Sequence, residues 1–261
     1  MEFEEVIQSP QNAKLKAVRA VRRGKDADHV LLEGHRVFAD ALRAGVAVSW
    51  LLFDAERRDE RMQATLASAE KSGVRAVPCL PALLQEVSEL NSPSGILAVA
   101  PRPTTSLAEV LGKPGLLLVI AGVQDPGNVG ALVRCAAGLG ASGVATFFGG
   151  ASVWHPRAIR GASGTTFRLP IVDRVNPEEF FSAASTAGFS LWATATDGRR
   201  PMPLEQDQCV ALLLGEEGRG LEASWLAFCE DTVGIALKND VDSLNVATAA
   251  AVLMHQLVPA S

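Results

Sequence analysis

No stretch of this 261-residue sequence is apolar for long enough to span a bilayer. The longest strongly apolar run, Leu116–Val123, falls far short of the roughly 18–20 residues a spanning helix needs. The four cysteines (Cys79, Cys135, Cys209, Cys229) lie far apart and form no C-x-x-C pair. That excludes a disulfide framework and a cysteine zinc site, and suits a reducing cytosol. His29, His35, His155 and His255 have no metal-ligand spacing, so no metal is expected. The opening residues MEFEEV are acidic, unlike the basic start of a secretory leader. Internal repeats and low-complexity segments are also lacking.

Carboxylates are missing from two places. Between Lys14 and Lys25 there are six basic residues and no acid, and from Pro126 to Val172 there is no Asp or Glu while Arg134, Arg157, Arg160 and Arg168 occur. The whole chain has 24 basic and 29 acidic residues, a net charge of −5, which read globally argues against a nucleic-acid partner. The local gaps argue the other way, because a surface that meets phosphate avoids carboxylates. A buried apolar stretch plus a solvated basic helix explains the same gaps equally well.

What is present is the composition of a folded chain, 48% apolar and 20% charged. Segments alternate between helical and strand periodicity over the first hundred residues. Helices are expected at 11–23, 36–44 and 56–72, and strands at 29–32, 48–53, 74–77 and 95–100. Residues 101–114 hold three of the fourteen prolines and read as a linker. Beyond it, 115–121 is a continuous apolar strand of the kind buried on both faces of a parallel sheet. Strands follow at 143–147, 189–193, 210–214 and 232–235, and helices at 129–139, 177–187, 221–228 and 244–257. The fold class is α/β, with a small N-terminal and a larger C-terminal unit.

Gly138, Gly140 and Gly143 spell G-x-G-x-x-G, but a dinucleotide fingerprint follows a strand and opens a helix. Here a helical pattern precedes the glycines and a strand follows, so they read as a helix end.

Three segments share another design, an apolar strand followed by a polar, glycine-containing loop and a helix. Ligands in open α/β sheets gather at the carboxyl ends of strands. The first, Gly122–Arg134, carries Asn128 and Arg134, which fall on roughly opposite sides of a helix. The second, Leu212–Leu221, carries Gly215, Gly218 and Gly220 with Glu216 and Glu217; an acidic glycine loop suits a cationic or hydroxyl-rich cofactor better than a phosphate. The third, Ile235–Ala249, carries Ser243 as a natural N-cap and Asn245 inside the last helix. An Asn cap, a tight turn and a Ser cap account for each segment taken singly.

With these residues in view, the chain resembles the SpoU (TrmH-like) RNA ribose 2′-O-methyltransferases of the SPOUT superfamily. Asp125–Gly130 through Arg134 is similar to the family's first motif, Gly215–Gly220 to its second with Glu217 at the glutamate, and Ser243–Val246 to its third. Pro156–Gly164 resembles the basic segment between them. Ser9–Asn12 with Lys14, and Leu32–Arg36, resemble the small substrate-binding domain. Glu216, Ala236, Leu237 and Asn239 depart from the family pattern.

The resemblance implies an L30e-like RNA-binding domain at 1–100, the linker at 101–114, and a methyltransferase domain at 115–261 with a deep C-terminal trefoil knot. It implies a cytoplasmic homodimer that uses S-adenosylmethionine on RNA, most of all large-subunit ribosomal RNA, with no membrane and no metal. Transfer RNA as the target and a non-catalytic RNA-binding protein on the same scaffold are the alternatives. The catalytic set it implies is Asn128, Arg134, Glu217, Ser243 and Asn245. Arg134 is read as gripping the phosphate beside the reacting ribose, since guanidinium is a poor base. Thr194, Gly215, Ile235 and Leu244 would hold the cofactor. Lys14, Lys16, Arg36, Arg157, Arg160 and Arg168 would contact RNA.

Overall fold

The computed structural model describes residues 5–216, 218–239 and 241–259. By contacts between Cα atoms the chain divides into two compact units, residues 1–103 with 154–167, and residues 104–153 with 168–261.

The N-terminal unit runs α1 (Ala13–Arg22), β1 (His29–Glu33), α2 (His35–Arg43), β2 (Trp50–Asp54), α3 (Glu60–Lys71), β3 (Ala76–Cys79), α4 (Pro81–Val87) and β4 (Ile96–Pro101). Its sheet has the order β1-β4-β2-β3; β4 is antiparallel to β1 and β2, and β2 is parallel to β3. Asn12 caps α1 by accepting from the Lys14 amide at 2.9 Å. Leu15, Val18 and Val21 recur at helical spacing and are buried against Leu31, Leu52, Val77 and Leu97. The helix α4, absent from the sequence reading, starts with Pro81 at its first position.

The C-terminal unit opens with α5 (Leu107–Leu111), closed by a Ser106–Glu109 capping box inside the stretch read as a linker. It continues with β5 (Gly115–Ile120), α6 (Pro126–Gly138) and β6 (Gly143–Phe147). The chain then carries α7 (Pro156–Gly161) and a single 3-10 turn at Thr165–Phe167, a segment that clusters with the N-terminal unit. It returns as β7 (Ile171–Val175), α8 (Pro177–Thr186), β8 (Ser190–Arg199), β9 (Cys209–Leu214), α9 (Ala223–Leu226), β10 (Asp231–Val233) and α10 (Val246–Leu257).

These strands form one parallel sheet of order β10-β8-β9-β5-β6-β7. The central strand β5 is buried on both faces, as its unbroken apolar sequence requires. Leu117 and Val119 face a cluster that includes Val110 of α5 and Phe180 and Phe181 of α8. Phe147 joins it edge-on, with ring centroids 5.3 Å from Phe180 and 5.6 Å from Phe181. The helices α6 and α10 pack on each other. The decoy glycines end α6 as read: Gly138 is its last residue, and Gly140 has φ +81°.

Candidate active site

The carboxyl ends of β8, β9 and β10 converge on a cavity of about 860 Å³ in the C-terminal unit. Thr194, Gly215, Ile235 and Leu244 all line it, as do Ser243 and Asn245. Two of the three polar loops picked out in the sequence therefore form one wall, although residues 222–234 lie between them in the chain.

Glycine makes this wall possible. A Cβ on Gly215 would lie 2.2 Å from the carbonyl carbon of Gly220, and one on Gly234 2.3 Å from the Ala195 oxygen. A Cβ on Gly198 would lie 2.3 Å from the carbonyl carbon of Val233. Three backbone segments thus approach closer than any side chain permits. Glu216 and Gly220 exchange backbone hydrogen bonds of 3.1 and 2.8 Å, which folds the second loop back on itself. The Thr194 hydroxyl donates to the Leu213 carbonyl at 2.9 Å, tying β8 to β9 beside the cavity. Gly198 and Gly234 escaped the sequence reading; a glycine directly after the short β10 was the available signal.

The third loop differs from expectation. Asn245, not Ser243, is the N-cap of α10: its Oδ1 accepts from the amides of Ala247 and Thr248 at 3.0 and 3.4 Å. Ser243 lies before the helix, in irregular chain that lines the cavity. The helix starts two residues later than its apolar pattern because 241–245 remains irregular chain.

The first loop reaches the site through Asn128. Asp125 caps α6 by accepting from the Asn128 amide at 3.0 Å, and Pro126 takes the first helical position. Asn128 is therefore inside the first turn rather than capping it. Its Oδ1 accepts a hydrogen bond of 3.1 Å from Asn245 Nδ2. Arg134 stands further along α6, exposed, and is not among the described residues that wall the cavity. Glu217 lies outside the described residues.

The basic residues separate into different environments. Lys16 and Arg36 are exposed on α1 and α2, and Arg36 is 3.9 Å from Asp40 of the same helix. The Lys14 ammonium lies 5.5 Å from the Trp50 ring centroid. Arg157 and Arg168 are exposed. Arg160 is held by carboxylates: it donates to buried Glu33 at 3.0 Å and lies 3.6 Å from Glu89. Glu33 also accepts from the Ser88 hydroxyl. A phosphate contact by Arg160 would have to compete with that arrangement. Much of the acid-free stretch is apolar interior, including Val129, Leu132, Val133 and all of β6. Burial accounts for that part of the gap.

The described residues contain no cluster of three or more His, Cys, Asp or Glu that could hold a metal, and no helix long and apolar enough to cross a membrane.

Residues 115–255 match the model of the SpoU rRNA Methylase family. Over 255 residues the chain is 29% identical to 23S rRNA (guanosine(2553)-2'-O)-methyltransferase RlmP of Bacillus subtilis, covering 96% of this chain and 98% of that one. It is 30% identical to 23S rRNA (guanosine-2'-O-)-methyltransferase RlmB of Burkholderia sp, covering 87% and 95%. Among solved structures, the SpoU methyltransferase AviRb from Streptomyces viridochromogenes in complex with AdoMet superposes with a TM-score of 0.81 at 28% identity, over 94% of this chain and 97% of that one. With the three loops in place and the family model covering more than half of the sequence, this chain belongs to the SpoU rRNA methylase family.

Proposed function

We propose that the protein transfers a methyl group from S-adenosylmethionine to a ribose 2′-hydroxyl of large-subunit ribosomal RNA. The observation that carries this reading is the single cavity shared by Thr194, Gly215, Ile235, Ser243, Leu244 and Asn245. Its volume suits a nucleoside-sized ligand. Gly215 and Gly234 line it, and because a Cβ at either would strike neighbouring backbone, glycine there lets the loops close up around the cavity. Those features fit S-adenosylmethionine, with Thr194, Gly215, Ile235 and Leu244 as the residues that would hold it. When bound, the cofactor supplies an electrophilic methyl group on a sulfonium centre.

The chain's own residues then have to place the hydroxyl, exclude water and favour loss of its proton. Asn245 and Asn128 hold the starts of α10 and α6 together, and Ser243 lines the cavity beside them. Arg134, exposed on α6, is suited to grip the phosphate next to the reacting ribose. Guanidinium stays protonated, so its role is orientation and charge rather than proton removal. Glu217 belongs to the same proposed set on the strength of the family motif alone.

The homodimer, the C-terminal knot and a cytoplasmic location are part of this proposal. The N-terminal unit is proposed as the RNA-docking domain, with Lys14, Lys16 and Arg36 on its surface. The 23S ribosomal RNA reading is supported by the named activities of relatives that align over almost the whole chain.

The test is calorimetry with S-adenosylmethionine followed by mapping of ribose methylation on ribosomal and transfer RNA, with and without the gene. Cofactor uptake and one lost 2′-O-methyl site in 23S RNA are expected. A lost site in transfer RNA redirects the substrate, and cofactor binding with no lost site anywhere favours a non-catalytic RNA-binding role.

A further inference from the structure

Two exposed residues at the carboxyl end of the sheet, Phe148 and Arg174, take no part in the site described above. Phe148 follows directly on β6 and is 56% exposed, although its neighbour Phe147 is core. Arg174 lies in β7 with its guanidinium carbon 6.0 Å from the Phe148 ring centroid. A solvated aromatic with an arginine against it is the arrangement on which unpaired nucleobases stack.

The backbone is shaped to present this pair. Between β6 and β7 the register shifts: Ala145 pairs with Val172, but Phe147 pairs with Val175, so β7 carries one extra residue. The bulge puts Arg174 at φ +61°, a left-handed conformation that glycine adopts without strain and arginine does not. Its amide is fixed on the Thr146 hydroxyl at 2.8 Å. Asp173, beside it, is turned to the hydroxyls of Thr146 and Ser152, each at 2.7 Å. A strained non-glycine residue at a bulge that aims its side chain outward points to a role beyond the fold.

The loop that carries Phe148 is anchored to the loop that leads into α6. Gln124 Nε2 donates to the carbonyls of Gly149 and Gly122 at 2.7 and 2.9 Å, and the Ala151 amide donates to Val123 at 2.9 Å. The pair therefore sits at a fixed place at the same carboxyl end of the sheet as the cavity, two to three strands away from β9, roughly 10–15 Å at the usual strand spacing. We propose that Phe148 and Arg174 form a platform on which an unpaired base of the substrate RNA stacks, a nucleotide flanking the one that is methylated. The exposed arginine supplies charge for the adjoining phosphate.

This inference rests on the RNA reading of the cavity, and the test separates the two. Binding of the full-length protein is measured by fluorescence anisotropy with a labelled oligoadenylate of about a dozen nucleotides and with an abasic strand of equal length. The intact strand is expected to bind more tightly than the abasic one. Phe148→Ala and Phe148→Leu should weaken binding of the intact strand about tenfold and leave the abasic strand unchanged, while Phe148→Trp keeps the preference. Arg174→Gly should lower the salt dependence and leave Tm equal or higher, because glycine relieves the left-handed backbone. The platform is overturned if Phe148→Ala retains the preference for bases, or if Arg174→Gly lowers Tm with RNA binding intact. In either case methyl transfer to ribosomal RNA continues. Wild-type protein that prefers neither strand and methylates no RNA overturns the RNA reading and the platform together.

Discussion

Asn245 caps the last helix with its side-chain oxygen and, with its side-chain nitrogen, donates to Asn128 in the first turn of α6, 117 residues away in sequence. One amide thus serves helix α10 and the junction between two motif loops. Asn245→Asp preserves the cap but removes the donor, and places a carboxylate against the Asn128 oxygen. Its thermal stability should stay near that of the parent while turnover falls. Asn245→Ala should lose turnover and about 1 kcal/mol of stability. Denaturant unfolding and methyl-transfer assays on both variants check this; equal turnover in Asn245→Asp and the parent would remove the junction from the mechanism.

Gly215→Ala puts a methyl group where Gly220 backbone now lies. The loop must open to admit it, and the cavity wall moves with it. Calorimetry is expected to give cofactor affinity weaker by at least about tenfold, with the melting of the N-terminal unit unaltered. Affinity within about twofold of the parent would mean that the wall does not hold the cofactor.

Arg160 lies beside a carboxylate, Glu33, whose side chain is 1% exposed. Removing the cation leaves that charge buried beside Ser88 and Glu89. Arg160→Ala should destabilise the protein by about 3 kcal/mol, and Arg160→Ala with Glu33→Gln by clearly less. Chemical denaturation of the single and double variants measures the coupling. Should Arg160→Ala instead leave stability unchanged and flatten the salt dependence of RNA binding, the residue faces phosphate.

His35 is buried in the N-terminal unit, with Nδ1 2.7 Å from the Thr65 hydroxyl and Nε2 3.0 Å from the Ser94 carbonyl. The carbonyl can only accept, so Nε2 carries a proton and the Thr65 hydroxyl donates to Nδ1 in the neutral ring. Burial, helped by Arg61 and Arg57, holds its pKa below the ordinary 6.5. The unfolded chain therefore takes up a proton near pH 6.5 that the folded chain does not. Stability is full above that pH and declines below it, by at most about 1.4 kcal/mol per pH unit for this one group. Urea midpoints at pH 7.5 and pH 5.5 should differ more for the parent than for His35→Asn; equal differences would refute the assignment.

Periodicity and turn chemistry located almost every strand of both sheets, because apolar runs and alternation report burial directly. The helices α4, α5 and α7 are too short to show a period in the sequence. The apolar pattern places the α6 start too late, because Asp125, not Asn128, offers its oxygen to the free amides. At the site, the sequence marks Gly215, Ile235, Leu244, Ser243 and Asn245, but as members of two separate loops.

The sequence by itself determined the class of fold, the buried central strand and the residue types at the strand ends, since these follow from local pattern and from what glycine and asparagine can do. Only the tertiary structure decided which loops share a wall, that Asn245 touches Asn128, that Arg160 faces Glu33 while Arg134 stays exposed, and that a bulge turns Arg174 toward Phe148. Each of those is a contact between residues distant in the chain. Such contacts depend on strand order and register, which no window along the sequence contains.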